Sequence, residues 1–184
     1  MTGKRYVLLD RDGTINVHKD YILDPADLEL VPGSIEALRE LEALGLGLLV
    51  VTNQSPVGRG WISEEQLEAI HNRLRSLLRE GGVELDGLYV CPHRPEDGCD
   101  CRKPEPGLAL RASEAHGFDP TETFVVGDHR RDVEMGRRIG ARTILLRGGH
   151  VGEEGTEAFA DHVVADLDEA ARVIRDIVLT GAAS

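Results

Sequence analysis

YVLLDRDGT (residues 6–14) is four apolar residues followed at once by two aspartates, an arginine and a glycine. So short an apolar run suits a strand covered on both faces, and the abrupt charge suits a strand end that feeds a turn. The pattern recurs along the chain. Residues 47–51, 87–90, 123–126 and 143–146 are also short apolar runs, and 162–165 is a sixth candidate. Between them lie segments with a period near 3.6, at 34–44, 63–79, 107–116, 132–139 and 167–178. Ser63 with Gln66 three residues on reads as a capping box, and Gly81-Gly82 ends that helix. Strand–helix alternation of this kind predicts an α/β, Rossmann-like three-layer fold with a parallel central sheet and right-handed crossovers, as one domain over 1–184.

Bulk properties narrow the function. At 184 residues, 41 % hydrophobic and 29 % charged, the chain has the composition of a soluble globular domain. No apolar run is long enough to span a bilayer, and the apolar stretch near the N-terminus is too short for a secretory leader, so a cytoplasmic setting is expected. A net charge of −12 argues against nucleic acid as a partner. Three cysteines cannot all pair, and a reducing compartment disfavours disulfides. No heptad or apolar stripe suggests a dimer, so a monomer is expected.

In an open parallel sheet, ligands bind beyond the carboxyl ends of the strands. The segments just past the expected strands are Asp10-Arg11-Asp12-Gly13-Thr14, Thr52-Asn53-Gln54-Ser55, a Cys/His loop with Arg102-Lys103, and Gly127-Asp128. Reactive side chains therefore gather on one edge. Asp10 and Asp12, two apart, are expected to face the same way, and so to need a cation or to keep one of the pair protonated. Such a cation would hold Asp10 ionised as a nucleophile, while Asp12 could carry a proton and act as general acid, then base. Asp-x-Asp-Gly also suits a solvated turn or a calcium loop, although the downstream acidic ligands of a calcium loop are missing. Thr52 and the backbone after it suit phosphate oxygens, or simply a turn. Lys103 could neutralise both a carboxylate and a phosphoryl group, and Asp128 could add a metal oxygen. Hard oxygen ligands with open positions suit Mg²⁺. Asp132, one helical turn beyond Asp128, is expected to cap or to support rather than to ligate.

All three cysteines lie within CPHRPEDGCDC (residues 91–101). Cys91, His93, Cys99 and Cys101 make a full tetrahedral zinc set, closed and therefore structural. Such a site would staple the loop that presents Arg102 and Lys103. Eight of the 21 Lys and Arg residues (Arg11, Lys19, Arg59, Arg94, Arg102, Lys103, Arg130, Arg131) fall on the expected active-edge loops, which favours a ligand with more than one phosphate.

Together, Asp10-Arg11-Asp12-Gly13-Thr14, Thr52, Lys103 and Gly127-Asp128 resemble the four ordered motifs of the haloacid dehalogenase-like phosphohydrolases. The resemblance implies an aspartyl-phosphate on Asp10 and proton transfer by Asp12. It also implies phosphoryl contacts from Thr52 and Lys103, and Mg²⁺ on Asp10, the Asp12 carbonyl and Asp128. Within that family, LLDRDGTIN, VVTNQS, the zinc loop and VVGD are similar to the heptose 1,7-bisphosphate 7-phosphatases. That similarity implies a sugar phosphate substrate touched by His18, Lys19, Asp20 and Tyr21, by Asn53, Gln54 and Ser55, and by His129. It also implies recognition of the second phosphate by Arg102. The histidinol-phosphate phosphatases, with a similar zinc set, are the alternative. Two positions depart from the heptose group: Pro56 stands where Gly is common, and His129 where Lys is frequent. No insertion is long enough for a large cap domain.

Overall fold

The computed structural model describes residues 3–147 and 155–181. Strands β1 (Tyr6–Leu9), β2 (Gly47–Asn53), β3 (Gly87–Cys91), β4 (Phe124–Gly127), β5 (Arg142–Leu146) and β6 (His162–Val164) form one sheet. Every pairing is parallel, in the order β3-β2-β1-β4-β5-β6. The helices are α1 (Ser34–Ala43), α2 (Ser55–Gly58), α3 (Glu64–Glu80), α4 (Gly107–His116), α5 (Arg130–Arg138) and α6 (Leu167–Thr180).

Alternation along each strand splits the core into two layers. Val7, Leu9, Leu48 and Val50 pack with Leu38 and Leu41 of α1, Leu74 of α3 and Ile174 of α6. Tyr6, Leu8, Leu49 and Val51 face the other way, onto Leu108 and Ala112 of α4 and Met135 of α5. Burying each such Leu or Val is worth about 1.5–3 kcal/mol, so both faces of the central strands resist any polar substitution. This is the three-layer arrangement that the apolar runs imply.

Boundaries shift where capping decides them. The capping box on α3 is present, with Gln66 N–H donating to Ser63 Oγ at 3.2 Å and Ser63 N–H to Gln66 Oε1 at 2.8 Å. Helix α5 begins at Arg130 rather than 132, because Asp132 caps from inside the first turn, accepting the His129 N–H at 3.1 Å. Strand β2 runs on through Thr52 and Asn53, which pair with Val90 and Cys91 of β3. The short helix α2 carries too few residues to show a period.

Strand order reverses between β1 and β4, which is the switch point of a doubly wound sheet, and a crevice opens there beyond the strand ends. The excursions past that edge, 10–33 and 92–106, hold only the single turns Pro25–Asp27 and Pro95–Asp97. Neither forms a cap domain. Among the described residues no helix is long and apolar enough to cross a membrane.

Candidate active site

Asp10 leaves β1 with its N–H still donating to Val126 O of β4 at 3.0 Å, so the carboxylate is set by the sheet itself. The chain then coils tightly, Arg11 O accepting from Ile15 and Asn16 N–H groups at 3.0 and 3.1 Å. Gly13 sits in this turn at φ +81°, and a Cβ there would fall 2.1 Å from Asp128 Oδ2. Only glycine allows the β1 turn and the β4 end to approach so closely.

Lys103 is buried beneath them. Its Nζ lies 2.8 Å from Asp10 Oδ1 and 2.7 Å from Asp132 Oδ1, and donates to Val51 O at 2.6 Å. Burial opposes the lysine charge, but Asp10 and Asp132 outweigh it and hold its pKa above the ordinary value. Asp10 is pushed up by burial and by Asp132, against the pull of Lys103 and Arg131. Asp128 is also buried, and neither of its oxygens has a hydrogen-bond partner among the described residues. Burial, Asp10 and Asp132 push its carboxyl up to about 8. Asp10, Asp128 and Asp132 can each bring an oxygen within 4.8 Å of the others. Two orphaned buried oxygens among three converging carboxylates fit a divalent cation with oxygen preference.

Asp12 does not join that cluster. Its carboxylate is turned onto Arg11, which reaches its two oxygens through Nη2 at 2.9 Å, and it also accepts from Asn16 Nδ2 and Gln54 Nε2. Burial raises its pKa, but Arg11 and the hydrogen bonds from Asn16, Arg11 and Gln54 outweigh that and hold it below the usual carboxylate range. The expectation that Asp12 faces with Asp10 is thus corrected: its side chain is turned onto Arg11, Asn16 and Gln54. Strand periodicity stops at Leu9, and the turn redirects the side chain.

The other expected residues divide. Thr52 is buried at the end of β2, and its Oγ1 accepts from Gln54 Nε2 at 2.9 Å. Asn53, expected at the substrate, spends its side chain on Lys103. Its Nδ2 donates to Lys103 O at 3.1 Å, and its Oδ1 accepts the Lys103 N–H at 3.0 Å. Ser55 opens α2, and Pro56 occupies the first turn beside it, where its missing N–H costs the helix no hydrogen bond. His18 and His129 face each other with ring centroids 6.4 Å apart. Lys19 turns back onto its own loop, donating to Asp27 O and lying 3.8 Å from Glu29. Asp20 and Tyr21 are exposed, and Tyr21 meets Trp61 edge-on at 4.8 Å. Trp61, the sole tryptophan of the sequence, follows α2 and is exposed.

In the Cys/His loop the Sγ atoms of Cys91, Cys99 and Cys101 lie 3.2–3.6 Å apart, and His93 Nδ1 is 3.2 Å from Cys101 and 3.6 Å from Cys91. A tetrahedron with metal–sulfur bonds of about 2.3 Å has edges of about 3.8 Å, whereas a disulfide needs about 2.05 Å. The four donors are therefore compatible with a zinc site. Burial and hydrogen bonds with the neighbouring thiols push Cys91 above the ordinary thiol value; for Cys99, hydrogen bonds from Cys101 outweigh burial and bring it to about 7. Arg102 Nη1 donates to His93 O at 3.0 Å, which ties that guanidinium to the loop.

The HAD-hydrolase-like family model matches residues 100–170. D-glycero-beta-D-manno-heptose-1,7-bisphosphate 7-phosphatase from Pasteurella multocida is 37 % identical over 95 % of this chain and 98 % of its own. The protein of that name from Escherichia coli K12 is 36 % identical over 92 % of this chain and 93 % of its own. Among solved structures, D,D-heptose 1,7-bisphosphate phosphatase from B. bronchiseptica, complexed with magnesium and phosphate, superposes with a TM-score of 0.83. It is 30 % identical and covers 94 % of this chain and 98 % of its own.

Proposed function

The chain belongs to the family of the D-glycero-beta-D-manno-heptose-1,7-bisphosphate 7-phosphatases, among the haloacid dehalogenase-like hydrolases, and from that premise we propose that it removes the C7 phosphate of heptose 1,7-bisphosphate. The observation that carries the reading is the buried cluster at the switch point, Asp10 against Lys103 with the unpartnered Asp128 beside it.

An oxygen of Asp10 attacks phosphorus, and the bond from phosphorus to the C7 oxygen breaks. Asp12 delivers the proton that oxygen needs, then takes one from the water that hydrolyses the aspartyl-phosphate. To do so, Asp12 gives up its contacts with Arg11, Asn16 and Gln54. Thr52 and Lys103 hold the transferring phosphoryl group, and Lys103 offsets its charge. Mg²⁺ held by Asp10, the Asp12 carbonyl and Asp128 would screen these carboxylates from the phosphate oxygens. Zinc on Cys91, His93, Cys99 and Cys101 would have no open position and would serve to fix the loop that carries Arg102.

Charge favours this substrate over histidinol phosphate, whose amine calls for a free acid. Of the two candidates for that partner, Glu96 and Asp97, Asp97 is held by Arg94 at 2.9 Å and Glu96 lies 3.7 Å from the same guanidinium. Following the reaction by ³¹P NMR tests the proposal. Loss of the C7 signal with the C1 signal retained is expected, and loss of the C1 phosphate first, or turnover by Asp10→Asn, would refute it.

A further inference from the structure

Five of the eight bases expected to meet an anionic ligand are already occupied, Lys103 by Asp10 and Asp132. Arg11 pairs with Asp12, Arg94 with Asp97, Arg130 with Glu134, and Lys19 is drawn into its own loop. Arg59, Arg102 and Arg131 have no carboxylate within ion-pair distance among the described residues, and the charges of Arg131 and Arg59 both bear on Arg102. Arg59 rests instead on Trp61, its guanidinium carbon 5.3 Å from the ring centroid, and the edge of Trp61 meets Tyr21. These aromatics are half exposed, Trp61 at 51 % and Tyr21 at 45 %, in a chain with 4 % aromatic residues and one tryptophan.

The loop that carries them is placed rigidly. Arg59 N–H donates to Ser55 O and Trp61 N–H to Pro56 O, each at 2.9 Å. Gly58 N–H donates to Pro92 O at 2.9 Å, and a Cβ at 58 would lie 2.6 Å from that oxygen. The β2 loop is thereby seated against the Cys/His loop, and both stand on the edge that holds Asp10. A guanidinium held by an indole face keeps its N–H donors for an anion, because cation–π contact occupies none of them.

We propose that Arg59, braced on Trp61, is a specificity-determining residue that, beside Arg102, binds the phosphate this enzyme does not remove. The inference rests on the bisphosphate reading above and assigns the residues that distinguish a bisphosphate from a monophosphate. Arg59 and Trp61 are exposed, so their replacement leaves the fold intact.

The test uses the zinc- and magnesium-loaded full chain with heptose 1,7-bisphosphate and heptose 7-phosphate as a substrate pair. Arg59→Gln should raise KM for the bisphosphate about tenfold to thirtyfold, the loss of one charge-assisted phosphate contact, with kcat and the monophosphate reaction little changed. Arg59→Lys should recover part of the loss, and Trp61→Leu should give a weaker form of it. Saturating the inactive Asp10→Asn protein with the bisphosphate should shift the emission of Trp61, the only tryptophan, more than the monophosphate does. Equal losses on both substrates, no loss on either, or an unmoved emission overturns the inference. A wild-type enzyme without preference for the bisphosphate overturns the substrate reading as well, which separates the two failures.

Discussion

The carboxylate of Asp128 sets a pH dependence on metal binding that can be worked out in advance. Burial, Asp10 and Asp132 push it up to about 8, and nothing among the described residues donates to it. For an acid the sign is definite. A raised native pKa favours the neutral form, so the metal-free fold loses stability as pH rises from about 4, the ordinary carboxylate value, toward that raised value. A divalent cation needs the ionised form and reverses the trend. With a pKa of about 8, about 10 % of Asp128 is ionised at pH 7 and about 1 % at pH 6. Mg²⁺ affinity should therefore strengthen about tenfold, or about 1.4 kcal/mol, from pH 6 to 7 and about fivefold from pH 7 to 8, then level off. Isothermal titration of the zinc-loaded protein at four pH values measures this directly. Repeating it in buffers of different ionisation enthalpy counts the protons released, with about one per Mg²⁺ expected near pH 6.5. Asp128→Asn should bind far more weakly and without the slope. A Kd that stays constant between pH 6 and 8, with no proton released, would refute the reasoning.

Gly13→Ala forces a left-handed conformation at φ +81° and drives a methyl into Asp128. It should cost at least about 1 kcal/mol by chemical denaturation and lower kcat/KM by about 100-fold with far-UV dichroism retained. Asn53→Ala removes both hydrogen bonds that clip the Lys103 main chain to β2. Steady-state kinetics should show a fall in kcat larger than any rise in KM, because Lys103 acts on the reacting group. Stripping zinc, or Cys101→Ser, should lower Tm by about 5–10 °C in a thermal scan and raise KM for the bisphosphate, since Arg102 hangs from His93 O.

The sheet was legible because both faces of its strands are buried, which leaves continuous apolar runs with charge at their ends. For the same reason the positions of Asp10 and Asp128 could be read from the polar residues just past β1 and β4, while Thr52 lies in the last residues of β2 and Lys103 at the far end of the loop after β3. Side-chain direction beyond a strand end could not be read. Asp12 lies in a turn, where period two no longer applies, and its orientation is decided by Arg11, Asn16 and Gln54. The pairing of Lys19 with Asp27 O and Glu29 was likewise out of reach, because it depends on how the 14–33 loop closes. Nor could the sequence show that the Asn53 amide meets the Lys103 backbone fifty residues away. Asp132 was expected to cap or to support, and it caps α5; it also touches Lys103 from its buried place in the first turn of that helix.

The most direct test of the central claim is phosphate release from heptose 1,7-bisphosphate and from histidinol phosphate, side by side, with Mg²⁺ and after chelation. A kcat/KM that strongly favours the bisphosphate and collapses on chelation is the expected result. Preference for histidinol phosphate, or turnover indifferent to Mg²⁺, would contradict the account.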